Sequence, residues 1–359
     1  MSTAGAARPV PLRFGVIGTG RIGRLHAELL ASQVQGATLV AVADAVPALA
    51  DEVARSVGVA VMPTDELVAH PGTDAVVICS PTGTHGGLIA QAARAGKAVF
   101  CEKPVSLDLG EVDGALAEVN RAGVPLMVGF NRRFDPSHAA VHEAVASGAL
   151  GTPEIVRITS RDPAPPPLSY ARVSGGIFLD MTIHDLDMAR FVVGSEVIEV
   201  YADGAVRVEP ALAEIGDVDT AVVVLRHQND CLTVIDNSRQ AVYGYDQRVE
   251  VLGPEGMVAS DNPLANTTLH RDAAGGHVAG LPYFFLERYR SSYLRQWQAF
   301  VASLTNGFAP PTTGADGRAA LLLGLAAKKS LAERRPVRPA EVDVPAEGQG
   351  GAPADLGHG

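Results

Sequence analysis

Two carboxylates and one imidazole recur at helical spacing in GGIFLDMTIHDLDMARF, residues 175–191. Asp180, His184 and Asp187 are four and three residues apart, so one continuous helix would place them on a single face. A histidine titrates near about pH 6.5 and can accept the proton of an alcohol, while a carboxylate one turn away can orient its ring and stabilise the imidazolium. The spacing therefore predicts a catalytic base, His184, with Asp180 as its orienting acid.

Two other interpretations of this row are open at this stage. A surface pair at i, i+4 stabilises a helix by only about a few tenths of a kcal/mol and carries no chemistry. Two carboxylates and a histidine could also ligate a divalent ion, but the sequence supplies no convincing further ligand. The prediction is therefore a site that holds no metal.

The segment CEKPVS, residues 101–106, contains a second candidate. It ends a predicted strand of a parallel sheet, and open α/β sheets bind their ligands at the carboxyl ends of the strands. Lys103 could there donate to a ketone or alkoxide oxygen, with Pro104 restricting the backbone that directs it. From position alone, an ordinary surface lysine is an equal alternative.

The glycine-rich segment GTGRIG, residues 18–23, follows a predicted strand and opens a predicted helix. In this context Gly18 permits a tight turn, Gly20 lets the backbone approach a pyrophosphate, and Gly23 lets the helix pack on the strand. Asp44 ends the next predicted strand, where a carboxylate binds a ribose hydroxyl and repels a 2′-phosphate. The pattern predicts NAD in preference to NADP, although a solvated turn residue is the alternative interpretation of Asp44.

The first part of the chain alternates short apolar runs with helical stretches, which is typical of a parallel sheet with right-handed crossovers. Residues 11–131 are therefore predicted to form a Rossmann dinucleotide-binding domain in an α/β protein. The predicted strands are LRFGVIG, TLVAVAD, DAVVICS, KAVFCEK and PLMVGF, and the predicted helices cover residues 22–32, 48–56, 86–95 and 109–122.

The pattern changes after residue 131, since strands then follow one another without helices between them. Residues 132–338 are predicted to form a C-terminal α+β substrate-binding domain with a large, mostly antiparallel open sheet. Such a sheet needs its outer face covered, so a homo-oligomer, dimer or tetramer, is expected. Its predicted strands are EIVRITSR, EVIEVYADGAVRV, DTAVVVLRH, CLTVIDNS, QRVEVLG and MVAS, with a turn at 227–230 and helices at 136–147, 175–191, 284–305 and 315–332.

Composition limits the partners and the compartment. The chain is 47% hydrophobic and 19% charged with a net charge of −11, which is typical of a globular protein and argues against nucleic acid or an anionic membrane as a partner. The apolar run at residues 319–327 is too short to span a bilayer, and residues 1–10 lack the apolar core of a secretory signal. We expect a cytoplasmic protein with reduced core cysteines, Cys79, Cys101 and Cys231, and disordered residues 339–359.

These motifs resemble the Gfo/Idh/MocA family of NAD(P)-dependent oxidoreductases, over about residues 12–338. The matching segments include FGVIGTGRIGRLHA, CSPTGTHGGLIAQAARAGKAVFCEKPVSLD, GFNRRFDPSH, GGIFLDMTIHDLDMARF and YGYDQRVEVLGPEG. The resemblance implies that the EKP lysine and the D-x-x-x-H pair line the catalytic site, which carries over to Lys103, Asp180 and His184.

Two sets of binding residues are also predicted. NAD binding is assigned to Gly18, Gly20, Arg21, Ile22, Gly23, Asp44, Ser80, Thr82, His85, Glu102 and Lys103, with a capping or solvent role as the alternative for His85. A polyhydroxylated ring needs several fixed donors and acceptors, and polyol binding is assigned to Asn131, Arg133, Thr182, Asp187 and Tyr243. The implied reaction is the NAD-dependent oxidation of a cyclitol secondary alcohol to a ketone, as in family members that oxidise myo-inositol. The alternatives are another sugar or cyclitol (scyllo-inositol, a hexose, an aminocyclitol precursor) and a non-catalytic NAD-binding regulator.

Overall fold

The computed structural model describes residues 11–343, and the predicted tails at 1–10 and 344–359 lie outside the described residues. Two six-stranded sheets form the body of the chain, and each packs helices against at least one face. This is the α/β domain followed by an α+β domain that the sequence predicts. The carboxyl edge of the first sheet and the helical face of the second enclose the candidate site.

The first sheet is parallel throughout, with strand order β3-β2-β1-β4-β5-β6. All residues of β4 and β5 are buried, because helices cover both faces of a parallel sheet. The elements are β1 (Leu12–Ile17), α1 (Arg21–Ser32), β2 (Ala37–Ala43), α2 (Pro47–Val57), β3 (Ala60–Val61), α3 (Thr64–Ala69), β4 (Ala75–Ile78), α4 (His85–Arg94), β5 (Ala98–Cys101), α5 (Leu109–Ala122) and β6 (Leu126–Val128).

The second sheet has strand order β12-β11-β7-β10-β9-β8, and only its central pair, β7 and β10, is parallel. The prediction of a large, mostly antiparallel sheet is confirmed. The elements are α6 (Pro136–Ala146), β7 (Ile155–Arg161), α7 (Leu168–Ala171), α8 (Ile177–Asp180), α9 (Thr182–Val193), β8 (Val197–Ala205), β9 (Thr220–His227), β10 (Leu232–Ser238), β11 (Asp246–Gly253), β12 (Gly256–Ala259), β13 (Leu269–Asp272), β14 (Gly275–Val278), α10 (Phe285–Arg288), α11 (Arg290–Asn306) and α12 (Gly314–Glu333).

Helix α11 completes the core of the first domain although it follows the strands of the second sheet in sequence. Its Trp297 ring lies edge-on to Phe14 of β1 with centroids 5.5 Å apart, and 4.5 Å from Phe100 of β5. Phe300 packs into the same aromatic cluster. The chain therefore returns to the Rossmann sheet, and this return ties the two domains together.

Several predicted elements differ from the structure. The predicted helix at 175–191 is interrupted at Met181, between α8 and α9, and the helix at 284–305 is interrupted at Tyr289. The short elements β3 and α3 and the hairpin β13–β14 were not predicted, because β3 and α3 have only two and six residues and the hairpin strands are exposed and lack an apolar pattern. The predicted disorder from residue 339 is wrong at its start, since a 3₁₀ turn at Pro339–Glu341 is held by an Arg335–Glu341 ion pair.

Two expectations from composition concern features that the structure describes, namely the cysteines and membrane-spanning helices. All three cysteines, Cys79, Cys101 and Cys231, are buried and unpaired. Among the helices of residues 11–343, none is both long and apolar enough to cross a membrane.

Candidate active site

The glycine-rich turn has the geometry of a pyrophosphate cradle. Gly18 has φ +88°, and a Cβ there would lie 2.5 Å from the backbone of Cys79, so no other residue fits. A Cβ on Gly23 would lie 1.8 Å from the carbonyl oxygen of Gly18. At Gly20, by contrast, an added Cβ would meet no atom of the described chain within 4 Å. The turn is thus packed on its inner side and open where a dinucleotide would approach.

The amino-terminal end of α1 adds a positive electrostatic contribution to this cradle. The helix begins at Arg21, with Gly20 as N-cap and no side-chain cap, so its first N–H groups face outward. Arg21 is exposed, and its guanidinium lies 5.5 Å from the Phe284 ring, while Ile22 is half-buried against the core. The residues present therefore fit the phosphates of NAD.

Asp44 lies just past β2 and is tied to the glycine-rich turn. Its Oδ2 accepts hydrogen bonds from the Thr19 backbone N–H at 2.6 Å and hydroxyl at 2.9 Å, and its Oδ1 accepts one from the Val46 N–H at 2.8 Å. The carboxylate is thereby held beside the turn, where it can accept from a ribose hydroxyl and repel a phosphate.

The loop after β4 differs in part from the prediction. Ser80 and Thr82 are partly exposed at the carboxyl edge, as expected for cofactor contacts. His85 is only 2% exposed, and its ring nitrogens lie 2.8 Å from the Pro104 carbonyl oxygen and 2.7 Å from that of Ser80. The prediction that His85 binds the cofactor is therefore corrected: its ring joins two loops and is enclosed between them.

Lys103 and Asp180 meet across the two domains. The Lys103 ammonium donates to the backbone carbonyl of Asp180 at 2.7 Å and lies 3.7 Å from the Asp180 carboxylate. Both side chains keep 14% of their surface exposed, so the pair is shielded but reachable. The alternative interpretation of Lys103 as a surface lysine is excluded by this contact.

The partners of the Asp180 carboxylate are not those predicted. Its Oδ1 accepts a hydrogen bond from the Tyr170 hydroxyl at 2.8 Å, and its Oδ2 accepts from both terminal nitrogens of Arg239 at 3.2 and 3.3 Å. No hydrogen bond joins it to His184 in the described chain. The break at Met181 separates the two residues into different helices, so the continuous face that the spacing predicted is not formed.

His184 is a neutral base at ordinary pH. Burial, together with the positive charges of Lys103 and Arg132, lowers the pKa of His184 well below its ordinary value. Its Nδ1 is enclosed and unpartnered within the described chain, whereas Nε2 is not enclosed, so Nε2 is the atom that a substrate hydroxyl can reach. Phe130 packs edge-on against the ring, with centroids 6.2 Å apart.

Two consecutive arginines hold α9 in place from the turn that follows β6. Arg132 donates to Asp185 at 2.5 Å, and Arg133 donates to both oxygens of Asp187 at 2.8 and 2.5 Å. Both aspartates are at most 1% exposed. His184 precedes this pair of ion pairs in the chain, so the two arginines fix the helix that carries the base.

Four of the five residues predicted to bind the polyol have partners within the protein. Arg133 and Asp187 pair with each other, and Arg133 also donates to Asp316 at 2.9 Å. The Thr182 hydroxyl is fully buried and donates to the Asn237 side chain at 2.6 Å. Tyr243 donates to Asp246 at 2.7 Å on the outer face of the second sheet. The polar groups of these four residues are thus already paired within the described chain, and their contact with the substrate stays a prediction.

Asn131 differs from those four residues. It is 3% exposed and lies just past β6, at the carboxyl edge of the first sheet. Its Nδ2 has no hydrogen-bond acceptor among residues 11–343. A buried amide without a partner is costly, so this donor is consistent with a ligand or water as its acceptor.

Sequence reasoning missed Asp162, Tyr170 and Arg239, which surround Asp180. Burial raises the pKa of Asp162 to about 6; the charge of Asp180 also raises it, and the charges of Arg239 and Arg132 lower it. Arg239 is 1% exposed and pairs with Asp180. Asp162 and Arg239 directly follow the predicted strands EIVRITSR and CLTVIDNS. These two strands are neighbours in the sheet, so the polar residues at their ends were the available signal for this part of the site.

The raised pKa of Asp162 predicts a cost in stability. In the unfolded chain this carboxyl ionises near about pH 3.9, so wild-type stability is lost as pH rises from there to about 6. Asp162→Asn should therefore increase the free energy of unfolding above about pH 6 and leave it unchanged near pH 3.5. Urea unfolding across this pH range measures the difference, and an equal gain at every pH would contradict it.

The described residues contain no group of three or more histidine, cysteine or carboxylate side chains placed to hold a metal ion. What the structure brings together is a lysine, a neutral histidine and two carboxylates beside a dinucleotide cradle. A fold and site of this kind define an NAD-binding oxidoreductase that acts on an alcohol or ketone.

Comparison with known proteins identifies the group within that class. Residues 12–130 match the family model described as the oxidoreductase family with an NAD-binding Rossmann fold, and residues 138–259 match the GFO/IDH/MocA C-terminal domain. The chain belongs to the Gfo/Idh/MocA family.

Three relatives illustrate the similarity. The chain is 52% identical to the myo-inositol 2-dehydrogenase of Thermotoga maritima over 92% of this chain and 99% of that one. It is 46% identical to the inositol 2-dehydrogenase of Rhizobium meliloti over 91% and 98% of the two chains. The crystal structure of scyllo-inositol dehydrogenase from Lactobacillus casei, with bound NAD(H) and scyllo-inositol, superposes with a TM-score of 0.86 at 31% identity, covering 92% and 99% of the two chains.

Proposed function

We propose that this protein oxidises myo-inositol to its 2-keto product with NAD as the acceptor. The observation that carries the proposal is the meeting of Lys103 and Asp180 beside the neutral His184, at the edge of the sheet that bears the glycine-rich cradle. The named inositol dehydrogenases among the relatives support the substrate class.

Each group has a defined part in the reaction. When bound, NAD accepts the hydride that leaves the substrate carbon. His184 Nε2 takes the hydroxyl proton, and the Lys103 ammonium stabilises the negative charge that develops on the oxygen. Asp180 positions Lys103 through its backbone carbonyl. Asp162 and Asn131 offer an acceptor and a donor to neighbouring hydroxyls of the ring, which fixes its orientation.

A panel of polyols with NAD, read at the nicotinamide absorbance, tests the proposal. We expect the highest kcat/KM with myo-inositol among myo-inositol, scyllo-inositol, glucose and an aminocyclitol. A higher value for another member would reassign the substrate. If no polyol reduced NAD while NADH still bound, the protein would be a non-catalytic NAD-binding regulator.

The choice of NAD is predicted to depend on the charge of Asp44. Replacing Asp44 with Ser and Ala45 with Arg should raise the use of NADP relative to NAD, because the repulsive carboxylate is lost and a cation is offered to the 2′-phosphate. The ratio of kcat/KM for the two cofactors measures this. Asp44→Asn keeps an acceptor for Thr19 but lacks the charge, so it should change the ratio in the same direction; an unchanged ratio in both variants would place the selection elsewhere.

We also propose that the protein is a homo-oligomer, dimer or tetramer, that assembles through the second sheet. The outer face of this sheet exposes large apolar side chains on six strands, which a monomer rarely leaves in water. These residues are Ile155, Ile198, Tyr201, Val222, Val234, Leu252 and Met257.

We also propose a cytoplasmic location, because a reducing compartment keeps cysteines unpaired, as all three are here.

Sedimentation at micromolar concentration tests the assembly. Val222→Glu with Val234→Glu should dissociate the oligomer, because both charges would be buried at the contact. Val242→Glu is the matched control, since Val242 is 88% exposed and lies outside the strands. A wild-type monomer, or an oligomer that withstands the double change, would contradict assembly through this face.

A further inference from the structure

A buried chain of hydrogen bonds leads from α11 to Glu102, the residue that precedes Lys103. The Trp297 indole Nε1–H donates to His26 Nδ1 at 2.9 Å, and His26 Nε2 lies 2.7 Å from Glu102 Oε1. Trp297 and His26 are fully buried, and the Glu102 side chain keeps 12% of its surface exposed. None of these contacts follows from the spacing of the residues, which come from three distant parts of the chain.

The first bond decides where the His26 proton lies. An indole nitrogen can only donate, so Nδ1 must be the unprotonated, accepting nitrogen of a neutral ring. The proton is therefore on Nε2, and His26 donates it to Glu102. Trp297 thus selects the one tautomer that can hold the carboxylate.

The second oxygen of Glu102 is left for the site. No donor in the described part of the chain lies within hydrogen-bond distance of Oε2, and the Gly129 backbone packs beside it, so that an added Cβ would come within 2.8 Å. Glu102 directly follows β5, on the side of the sheet opposite to Asp44, across the β1–β4 switch point. With the adenosine half of NAD beside Asp44, the nicotinamide half lies on the side of β4 and β5.

The geometry points to His26 and Trp297 as positioning residues that hold Glu102 so that its Oε2 accepts a hydrogen bond from the nicotinamide half of NAD. The inference rests on the NAD-dependent function proposed above. Neither residue touches the reacting atoms, and each acts through the next. Phe100 and Tyr293, with ring centroids 5.3 and 5.6 Å from the His26 ring, keep the imidazole from rotating away.

Two substitutions of His26 separate the hydrogen bond from packing. His26→Leu removes the donor, and we expect the NADH dissociation constant and the KM for NAD to rise about tenfold to a hundredfold, the usual effect of a hydrogen bond to a charged group. The KM for the polyol should change little. His26→Gln offers an amide N–H to Glu102 and an amide oxygen to Trp297, so it should recover most of the NADH affinity.

Phe300→Leu is the control for damage to the aromatic cluster, because Phe300 packs on Trp297 without joining the chain of hydrogen bonds. It should lower stability and leave NADH affinity unchanged. Trp297→Phe removes the donor to His26 while keeping an aromatic ring in the cluster, and it should weaken NADH binding in the same direction as His26→Leu, by a smaller factor. If His26→Leu does not fold, Trp297→Phe still tests the proposal.

Titration with NADH, followed by its fluorescence, is the primary measurement because it needs no substrate. Trp297 is the one tryptophan of the chain, so its emission reports on the first bond before any cofactor is added. We expect that emission to shift to shorter wavelength in His26→Leu and to stay in place in His26→Gln.

Wild-type NADH affinity in folded His26→Leu and Trp297→Phe, or equal losses in His26→Leu and His26→Gln, would overturn the inference. Wild-type protein that bound NADH but oxidised no polyol would instead overturn the proposed function alone.

Discussion

His184→Ala should lower kcat for polyol oxidation by roughly 10²- to 10⁴-fold near neutral pH, the usual contribution of a positioned general base. The variant should bind NADH normally, because His184 lies on α9 and away from the glycine-rich cradle. Activity should return in part as pH rises, since hydroxide can then take the hydroxyl proton. Steady-state rates from pH 6 to 10 measure both effects.

The pH profile of the wild type gives an independent check on the base. His184 must be unprotonated to act, and its lowered pKa moves its protonation to pH values below about 6.5. The loss of kcat/KM that depends on His184 should therefore occur below that pH. Asp162, with a pKa of about 6, is the other group that titrates there, so the profile of Asp162→Asn separates the two.

His142→Ala is the matched control for removal of a partly buried imidazole. His142 stacks on Phe191 with ring centroids 3.9 Å apart and interacts with the Phe191 carbonyl oxygen, outside the candidate site. Its loss should affect stability and leave kcat close to the wild-type value. If His184→Ala retained wild-type kcat in a folded protein, the base would have to be assigned to another residue.

Lys103→Met should lower kcat by roughly 10²- to 10³-fold, because one donor to the charge that develops on the oxygen contributes about 3 kcal/mol to the transition state. Affinity for NADH should change little. Lys97→Met is the control on the same strand, since Lys97 precedes β5 and its ammonium donates to the His70 and Thr73 carbonyl oxygens at the opposite edge of the sheet. Near-normal kcat in Lys103→Met would remove Lys103 from the chemistry.

The contacts of Asp180 make the pattern of coupling a sharper test. The Asp180 carboxylate lies 3.7 Å from the Lys103 ammonium and makes no hydrogen bond to His184 in the described chain, so Asp180→Asn should be non-additive with Lys103→Met, although the backbone hydrogen bond to Lys103 is kept. A double-mutant cycle in kcat measures this coupling. Coupling of Asp180 to His184 that exceeded its coupling to Lys103 would restore the orienting role that the sequence spacing suggested.

Local sequence pattern determined the first domain and the cofactor it binds. Gly18, Gly20 and Gly23 act through backbone geometry within one turn, and Asp44 and Lys103 each lie at the end of an apolar run that can only be a buried strand. Because parallel strands in a sheet present their carboxyl ends at one edge, the order of strands and helices along the chain is enough to place these residues together.

The partners of the charged residues were decided by the tertiary structure alone. The spacing of Asp180, His184 and Asp187 predicted one functional face, but the helix breaks at Met181 and Asp187 pairs with Arg133. A carboxylate binds whichever donor folding brings within about 3 Å, and the donors here are distant in sequence. The periodicity of a sequence predicts which residues are neighbours one helical turn apart. It contains no information on which distant segments the fold brings together.

The same reason explains why the Trp297–His26–Glu102 chain and the lowered pKa of His184 could not be predicted. Helix α11 returns to the first sheet after all the strands of the second sheet, and this return alone brings an indole N–H to His26. Burial of His184 depends equally on how the two domains close over it. The sequence by itself determined which residue types were available at the sheet edge, and the packing of segments far apart in the chain decided which of them pair, which remain open and which can accept a proton.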